Sequence, residues 1–139
     1  MHRKALRDAV MAGMAGHSRF AGMQAIRAWA QAVDDEALPA FGVLTPQESA
    51  RRVAKDLLSR TVQLVVVVKR AGGAAIEDDL DADAEAIEAI VGAAVFPAAL
   101  DYTLTDTQMP LAREGGKTSG SIVLRFDVTV HSDLTFDDD

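Results

Sequence analysis

Three short patterns in this chain combine residue types and spacing that are typical of ligand or metal sites. The first, Gly116-Lys117-Thr118, resembles the end of a phosphate-binding loop, in which backbone amides and a lysine hold a phosphate group. Such a loop also needs a glycine five residues before Gly116, where Leu111 stands, and a helix after it, where a strand pattern begins. We therefore interpret the stretch as a hairpin tip and predict no nucleotide site there.

The second pattern is acidic. Asp79, Asp81 and Asp83 fit the first three ligand positions of a calcium-binding loop, but such a loop has glycine and glutamate where this chain has Ala84 and Ile90. The alternative is that these carboxylates lie at the start of a helix, where the helix dipole is positive. The sequence favours the helix start and predicts no metal site.

The third pattern concerns nucleophiles and bases. His2, His17 and His131 lie in different predicted elements, and Ser18 beside His17 lacks the turn that presents a nucleophilic serine. Cysteine is absent, which excludes thiolate metal sites and disulfide bonds. We therefore predict no catalytic residue, no cofactor-binding residue and no cofactor, and expect that the protein is not an enzyme.

Basic residues form the remaining candidates. Arg51, Arg52 and Lys55 cluster in one polar stretch, while Arg113 and Lys117 flank the glycine-rich tip. A solvated charged face is the simpler interpretation, and the alternative is a contact with an acidic partner surface. We take these five as predicted interface residues.

Length, hydropathy and charge limit the classes of protein to which the chain can belong. The 139 residues predict a single domain, and no apolar run approaches the ~18 residues that span a bilayer, so we expect no membrane partner. The basic N-terminus lacks a following apolar stretch and predicts no secretory signal. The net charge of −7 repels phosphate backbones, which argues against tight non-specific nucleic-acid binding.

Two helices are predicted. The clearer one runs from Asp78, the predicted N-cap, to Phe96, where Pro97 ends it. Its apolar residues recur at steps of three and four, namely Leu80, Ala84, Ile87, Val91 and Ala94. An amphipathic first helix is predicted over residues 2–14, with Gly13 and Gly16 expected to weaken and stop it.

The segments between the two helices are predicted as follows. Residues 60–70 form the strongest strand, and Val65–Val68 lacks polar alternation. This indicates a central strand covered on both faces, or one covered by a helix and by a neighbouring subunit. Residues 38–45 predict a strand near a sheet edge.

Thr45-Pro46-Gln47-Glu48 has the form of a capping box, so a helix through Leu57 and a polar loop are equally supported. Residues 23–33, which contain Trp29, suit a helix by propensity and a strand by alternation; Trp29 itself suits a core position or an interface.

The C-terminal part predicts two half-buried strands joined through the glycine-rich tip. Leu100, Tyr102 and Leu104 alternate with polar residues in the first strand. The second strand has the same alternation at Ile122, Leu124, Phe126, Val128 and Val130. We predict one domain over residues 1–132 and an acidic, flexible tail over residues 133–139.

The order of these elements resembles the tail terminator proteins of long-tailed bacteriophages, with related minor tail and neck proteins of prophages and gene transfer agents. The resemblance rests on five stretches in this order: Ala5-Leu6-Arg7-Asp8-Ala9-Val10, Leu38-Pro39-Ala40 leading to Thr45, Arg60 to Val68, Asp79-Leu80-Asp81 with Ile87-Glu88-Ala89-Ile90, and Leu124-Arg125-Phe126-Asp127-Val128. It implies an α+β fold, with a mixed or antiparallel sheet, two helices on one face and the order α-β-β-β-α-β-β. It also implies that residues 23–33 are a strand.

The same resemblance implies a mechanical function. A ring of six copies caps the tail tube, stops tube polymerisation and offers its other face to the head–tail connector or neck protein. The implied partners are other copies of the chain, the tail tube protein and the connector, with DNA passing through the lumen without specific binding. The implied location is the head-proximal end of the virion tail, after assembly in the bacterial host cytoplasm. The alternatives are a head-closure, neck or tail-completion protein, and a small ligand-binding α/β domain.

Overall fold

The computed structural model describes residues 2–26, 39–114 and 117–133, which form two helices and a six-stranded sheet. The elements are α1 (His2–Gly16), β1 (Gln24–Ile26), β2 (Ala40–Ala54), β3 (Leu57–Gly72), α2 (Ile76–Val95), β4 (Asp101–Gln108), β5 (Leu111–Glu114) and β6 (Lys117–Asp133). The predicted α+β class and element order are confirmed, with β5 as an additional short strand.

The sheet is mixed, with the strand order β1-β2-β3-β6-β4 and β5 paired to β6. Only β1 and β2 are parallel, and the other described pairs are antiparallel. The central pair is β3 with β6, which stay in register from Leu57 opposite Asp133 to Gly72 opposite Thr118. The predicted hairpin around the glycine-rich tip is present as the β5–β6 pair, and residues 115 and 116 lie outside the described residues.

Both helices pack on one face of the sheet, where the core lies. The valines of β3 are buried on both faces, as predicted from the unbroken run Val65–Val68. The predicted alternation of β6 is confirmed as well, since its five apolar positions are all buried: Ile122, Leu124, Phe126, Val128 and Val130. The helices add Leu6, Val10 and Met14 from α1, and Leu80, Ile87, Ile90, Val91 and Val95 from α2.

The predicted start of α2 was wrong by three residues. The N-cap is Ala75, without a side-chain cap, and Asp78 lies in the first turn. The chain leaves β3 through a tight turn in which the Ile76 amide donates to the Gly73 carbonyl at 3.2 Å, so the helix begins before the acidic residues. The predicted end is confirmed, because Phe96 is the C-cap and Pro97 follows.

Both interpretations of residues 46–57 were wrong, because the segment is neither helix nor loop. Strand β2 continues to Ala54, and a turn at Lys55-Asp56 leads into β3. Pro46 falls where the pairing register shifts between Leu44 and Gln47, an irregularity at which proline is tolerated in a sheet. The residues after Pro46 are mostly exposed, which explains their loop-like composition.

The prediction that the Leu100–Leu104 strand is half-buried was also wrong. Every residue of β4 is exposed, although the strand is present and pairs with β6. Strand β4 lies at the sheet edge, beyond the main cover of the helices, so alternation there does not produce burial. Of the ambiguous stretch 23–33, Gln24–Ile26 forms strand β1, whereas residues 27–33 with Trp29, Leu38 and the predicted tail from residue 134 lie outside the described residues.

The contact between α1 and α2 depends on the absence of a side chain at Gly13. A methyl group added there would lie 2.8 Å from Cγ2 of Ile90, whereas one added at Gly16 would meet nothing within 4 Å. We expect Gly13→Ala to lower the free energy of unfolding by about 1–2 kcal/mol through overpacking. The matched Gly16→Ala should leave it unchanged or raise it by up to about 1 kcal/mol. Urea denaturation of both variants measures this, and equal effects would contradict the close helix contact.

Candidate interaction surfaces

A carboxylate on β2 anchors the start of α1 to the β2–β3 hairpin. Glu48 accepts hydrogen bonds from Nε2 of His2 and from Nη1 of Arg60, the latter at 2.6 Å. The guanidinium of Arg3 lies 3.6 Å from the same carboxylate. One turn further along α1, Nη1 of Arg7 donates to Oγ1 of Thr45 at 2.5 Å. The residues that resembled a capping box therefore bind α1.

These partners change the ionisation of Glu48. Partial burial alone would raise the pKa of Glu48, but the hydrogen bonds and charges of His2 and Arg60 outweigh burial and lower it below its ordinary value of 4.5. The ionised form is thus the one that the fold stabilises. The cluster holds the hairpin and helix together while Glu48 is charged.

A second carboxylate, Asp83 on α2, is fully buried and ties three parts of the chain together. Nε of Arg19, in the turn after α1, donates to Oδ1 of Asp83 at 2.5 Å. From β3, Arg70 makes a two-pronged contact, with Nε 2.6 Å from Oδ2 and Nη2 2.8 Å from Oδ1. The bond to Asp83 outweighs burial and raises the pKa of Arg70.

Sequence reasoning placed Asp83 among the residues that oppose the helix dipole and so missed this cluster. The available signal was its position, three residues after Leu80 and four before Ile87, which puts it on the apolar face of α2. Asp79 and Asp81 are exposed, so the three residues do not converge as calcium ligands would. Among the described residues, no group of acidic, histidine or cysteine side chains could hold a metal ion.

The predicted interface residues lie in two groups at opposite ends of the sheet. Arg51 and Arg52 are near the end of β2 and Lys55 is in the following turn, and all three are exposed. At the other end Arg113, exposed in β5, lies 3.5 Å from Thr118, and Lys117 begins β6. The 16 residues of β3 connect the two ends and span ~50 Å. The structure therefore brings each group together but not the two groups.

The first group belongs to a hairpin that projects beyond the helices. We call residues 49–59 the arm. The β2 half of the arm is exposed throughout, and 43% of Val53 is accessible. Among the described residues, Arg51, Arg52 and Lys55 form no ion pair within the chain. The arm thus presents exposed Val53 close to three basic side chains, with Asp56 in the turn as its one acidic residue.

A second exposed surface lies along β4, and sequence reasoning did not identify it. We call Phe96, Leu100, Tyr102 and Leu104, with the unpaired side of β4, the edge patch. These side chains are 75%, 62%, 38% and 36% exposed, respectively. No described strand pairs with the outer side of β4. Large apolar side chains that are exposed close together along one sheet edge mark an interaction site more often than scattered ones do.

Two grooves lined by described residues can be compared in composition with a ligand-binding or catalytic pocket. One of about 610 Å³ lies between the turn after β3 and strand β5, lined by Gly72, Ile76, Leu111 and Arg113 among others. Another, of about 430 Å³, lies between the helices, where His17 meets alanines and Gly13. Neither combines a histidine with paired carboxylates, the combination that would favour a ligand-binding or enzymatic domain.

The fold and these surfaces define an α+β sheet protein with helices on one face and exposed strand segments at both ends. No family model matches the chain, and no curated protein matches it. The chain is similar to one in a solved structure titled "Virion of native gene transfer agent (GTA) particle", with 16% identity and a TM-score of 0.49 over 91% of this chain and 96% of that one. Within the described residues, neither helix has the length and apolar character required to cross a membrane.

Replacing Glu48 tests the anchoring of α1. We expect Glu48→Gln to lower the free energy of unfolding at pH 7 by about 1–2 kcal/mol, since the hydrogen bonds lose their charge. Because the pKa of Glu48 is lowered in the folded chain, its contribution is present above pH 4.5 and is lost as the pH falls through the folded pKa. The difference from the unsubstituted chain should therefore shrink in acid. Denaturation from pH 7 to pH 3 measures it, with exposed Glu88→Gln as control, and a pH-independent difference would contradict the assignment.

Replacing Asp83 tests the buried cluster. We expect Asp83→Asn to lower the free energy of unfolding by about 3 kcal/mol, because two guanidinium groups would then face each other without an anion. Exposed Asp81→Asn, two residues away on the same helix, should change it by less than about 0.5 kcal/mol. Urea denaturation at neutral pH compares the two variants. Similar effects at both positions would mean that the Arg19 and Arg70 contacts do not hold α2 in place.

Proposed function

We propose that this chain is a structural virion protein that forms a ring on the head-proximal end of a tail tube, stops tube polymerisation and provides the surface to which the head joins. The observation that carries the proposal is the presence of exposed strand segments at opposite ends of one long sheet, at residues 49–54 of the arm and at residues 111–113 of β5. A subunit that must contact a tube, a connector and its own neighbours needs exposed elements on several sides. The sequence resemblance to tail terminator proteins supports the same function.

A closed ring requires two different, complementary surfaces on each subunit, because each copy contacts its neighbours head to tail. The arm and the edge patch are two such surfaces, and they differ in both position and charge. This arrangement supports a ring of identical subunits. The proposed ring has six copies, as in the family that the sequence resembles.

The buried carboxylate of Asp83 and the partly buried carboxylate of Glu48 serve the packing of the fold in this proposal. Asp83 and Glu48 are occupied by arginine and histidine partners that join α2 and α1 to the sheet. We accordingly propose a mechanical function without catalysis or a cofactor. The proposed location is the virion tail, with assembly in the bacterial host cytoplasm.

The charge of the chain fits a pore through which DNA passes. Several carboxylates line the exposed part of α2, namely Glu77, Asp78, Asp79, Asp81, Glu85 and Glu88. With a net charge of −7, such surfaces repel a phosphate backbone, so DNA would cross the lumen without binding. The other proposed partners are the tail tube protein and the head–tail connector.

Deleting the gene in a producing strain and imaging the particles by electron microscopy tests the proposal. We expect overlong tails without heads, because polymerisation would have lost its stop. Expression of the unsubstituted chain from a plasmid should restore normal length, which is the control for effects on neighbouring genes.

Two other outcomes would contradict the terminator function. Tails of normal length that fail to join heads would assign the chain to the head-closure, neck or tail-completion proteins. Particles unaltered in both respects would remove the virion assignment and leave a small α/β domain of another function.

A further inference from the structure

The outer side of β4 is a long, unprotected sheet edge. From Leu100 to Arg113, side chains on this edge are exposed except for Met109, which is partly buried. Exposed edges offer unpaired backbone groups to other chains, so proteins cover or charge them. The edge patch adds Phe96 and Leu100 to that edge. Both observations indicate that another polypeptide covers it.

The charges beside the edge patch identify the chemistry of that polypeptide. Three aspartates lie in a row on the face of the sheet away from the helices. Asp101 of β4 pairs with Thr129 of β6, Asp127 lies two residues before Thr129 on β6, and Asp106 of β4 pairs with Arg125, two residues further along. Arg125 lies 3.6 Å from Asp106, and within the described residues Asp101 and Asp127 have no ion pair. The edge therefore presents an apolar side and an acidic side.

The chain itself carries an element with the opposite charge. The arm places exposed Val53 between Arg51, Arg52 and Lys55, which have no acidic partner within the described residues. An apolar centre with charges at its rim is the usual anatomy of a protein interface. The arm and the edge patch are therefore complementary, since each has an apolar part and the charges beside the two apolar parts are opposite.

We propose that the arm of one copy docks on the edge patch of a second copy. Val53 packs against the apolar side, at Leu100 and Leu104. Arg51 and Arg52 project from opposite faces of the arm strand and so place positive charge both beside Val53 and next to Asp101 and Asp127. The two surfaces differ, so the contact is head to tail, and repetition of it closes a ring if the rotation permits. This inference rests on the proposed function and names the surfaces that would build its ring.

Disulfide crosslinking tests the contact directly, because the chain has no natural cysteine. We expect the double variant Val53→Cys/Leu100→Cys, oxidised under native conditions, to give a ladder of linked species up to six subunits on a non-reducing gel. Each single variant should give at most a dimer. Val53→Cys combined with Ala12→Cys, exposed on α1 and away from the edge patch, is the matched control and should give no ladder.

Two crosslinking results would overturn the inference. Absence of the ladder from a chain whose native mass is that of a ring would mean that the ring forms through other surfaces, and the proposed function would stand. A folded chain that stays monomeric at every concentration would exclude docking between free copies, and the deletion experiment would then decide the proposed function by itself.

Charge reversal provides a second measurement that does not depend on disulfide geometry. We expect Arg51→Glu/Arg52→Glu, and separately Asp101→Lys/Asp127→Lys, to weaken self-association by about tenfold or more, because like charges then oppose each other. Combining all four changes in one chain should restore association. Sedimentation measures the oligomer, with Lys4→Glu and Glu85→Lys as exposed controls. Failure of the combination to restore association would overturn the proposed pairing.

Discussion

The architecture depends on a difference in rise between strand and helix. Each strand residue advances about 3.3 Å and each helix residue 1.5 Å. The 16 residues of β3 thus span ~50 Å, whereas the 20 residues of α2 span ~30 Å. With one layer of two helices on the sheet, the core ends well before the strands do. The hairpins that extend past it have no helix to bury them, so their side chains are polar, charged or available to another chain.

Two ion clusters determine where the helix layer lies on this long sheet. Asp83 holds α2 against β3 and against the turn after α1, and Glu48 holds the start of α1 against the hairpin. Burying a carboxylate is costly, and the return in Coulomb energy seldom makes such a cluster a large source of net stability. What the clusters supply is position, since apolar side chains alone would tolerate sliding of a helix along a sheet of valines. The placement of α2 leaves its acidic side exposed, and the placement of α1 leaves the arm uncovered.

The sequence predicted the elements whose environment is uniform along their length. The alternation of β6 and the spacing of α2 reflect one buried face, so periodicity identified both. Both interpretations of residues 46–57 were wrong because β2 passes from the core into solvent at Pro46. A polar stretch with proline and glutamate has the same composition as a helix start or a loop. The predicted burial of β4 was wrong for a related reason. Alternation predicts which side chains share a face, but the position of the strand at the sheet edge decides whether that face is covered. Asp83 was missed because acidic residues near a helix start have a simpler explanation.

The charges beside the exposed surfaces also oppose non-specific association with other acidic chains. A bare edge such as β4 would pair with any strand, and the aspartates beside it oppose approach by an acidic chain, including most surfaces of further copies of this protein at net charge −7. The arm is an exception, because its arginines and lysine carry the opposite charge. Like-charge repulsion elsewhere therefore favours the one orientation in which arm meets edge. In the proposed assembly, this distribution of charge would keep copies apart except in the geometry in which the arm meets the edge patch.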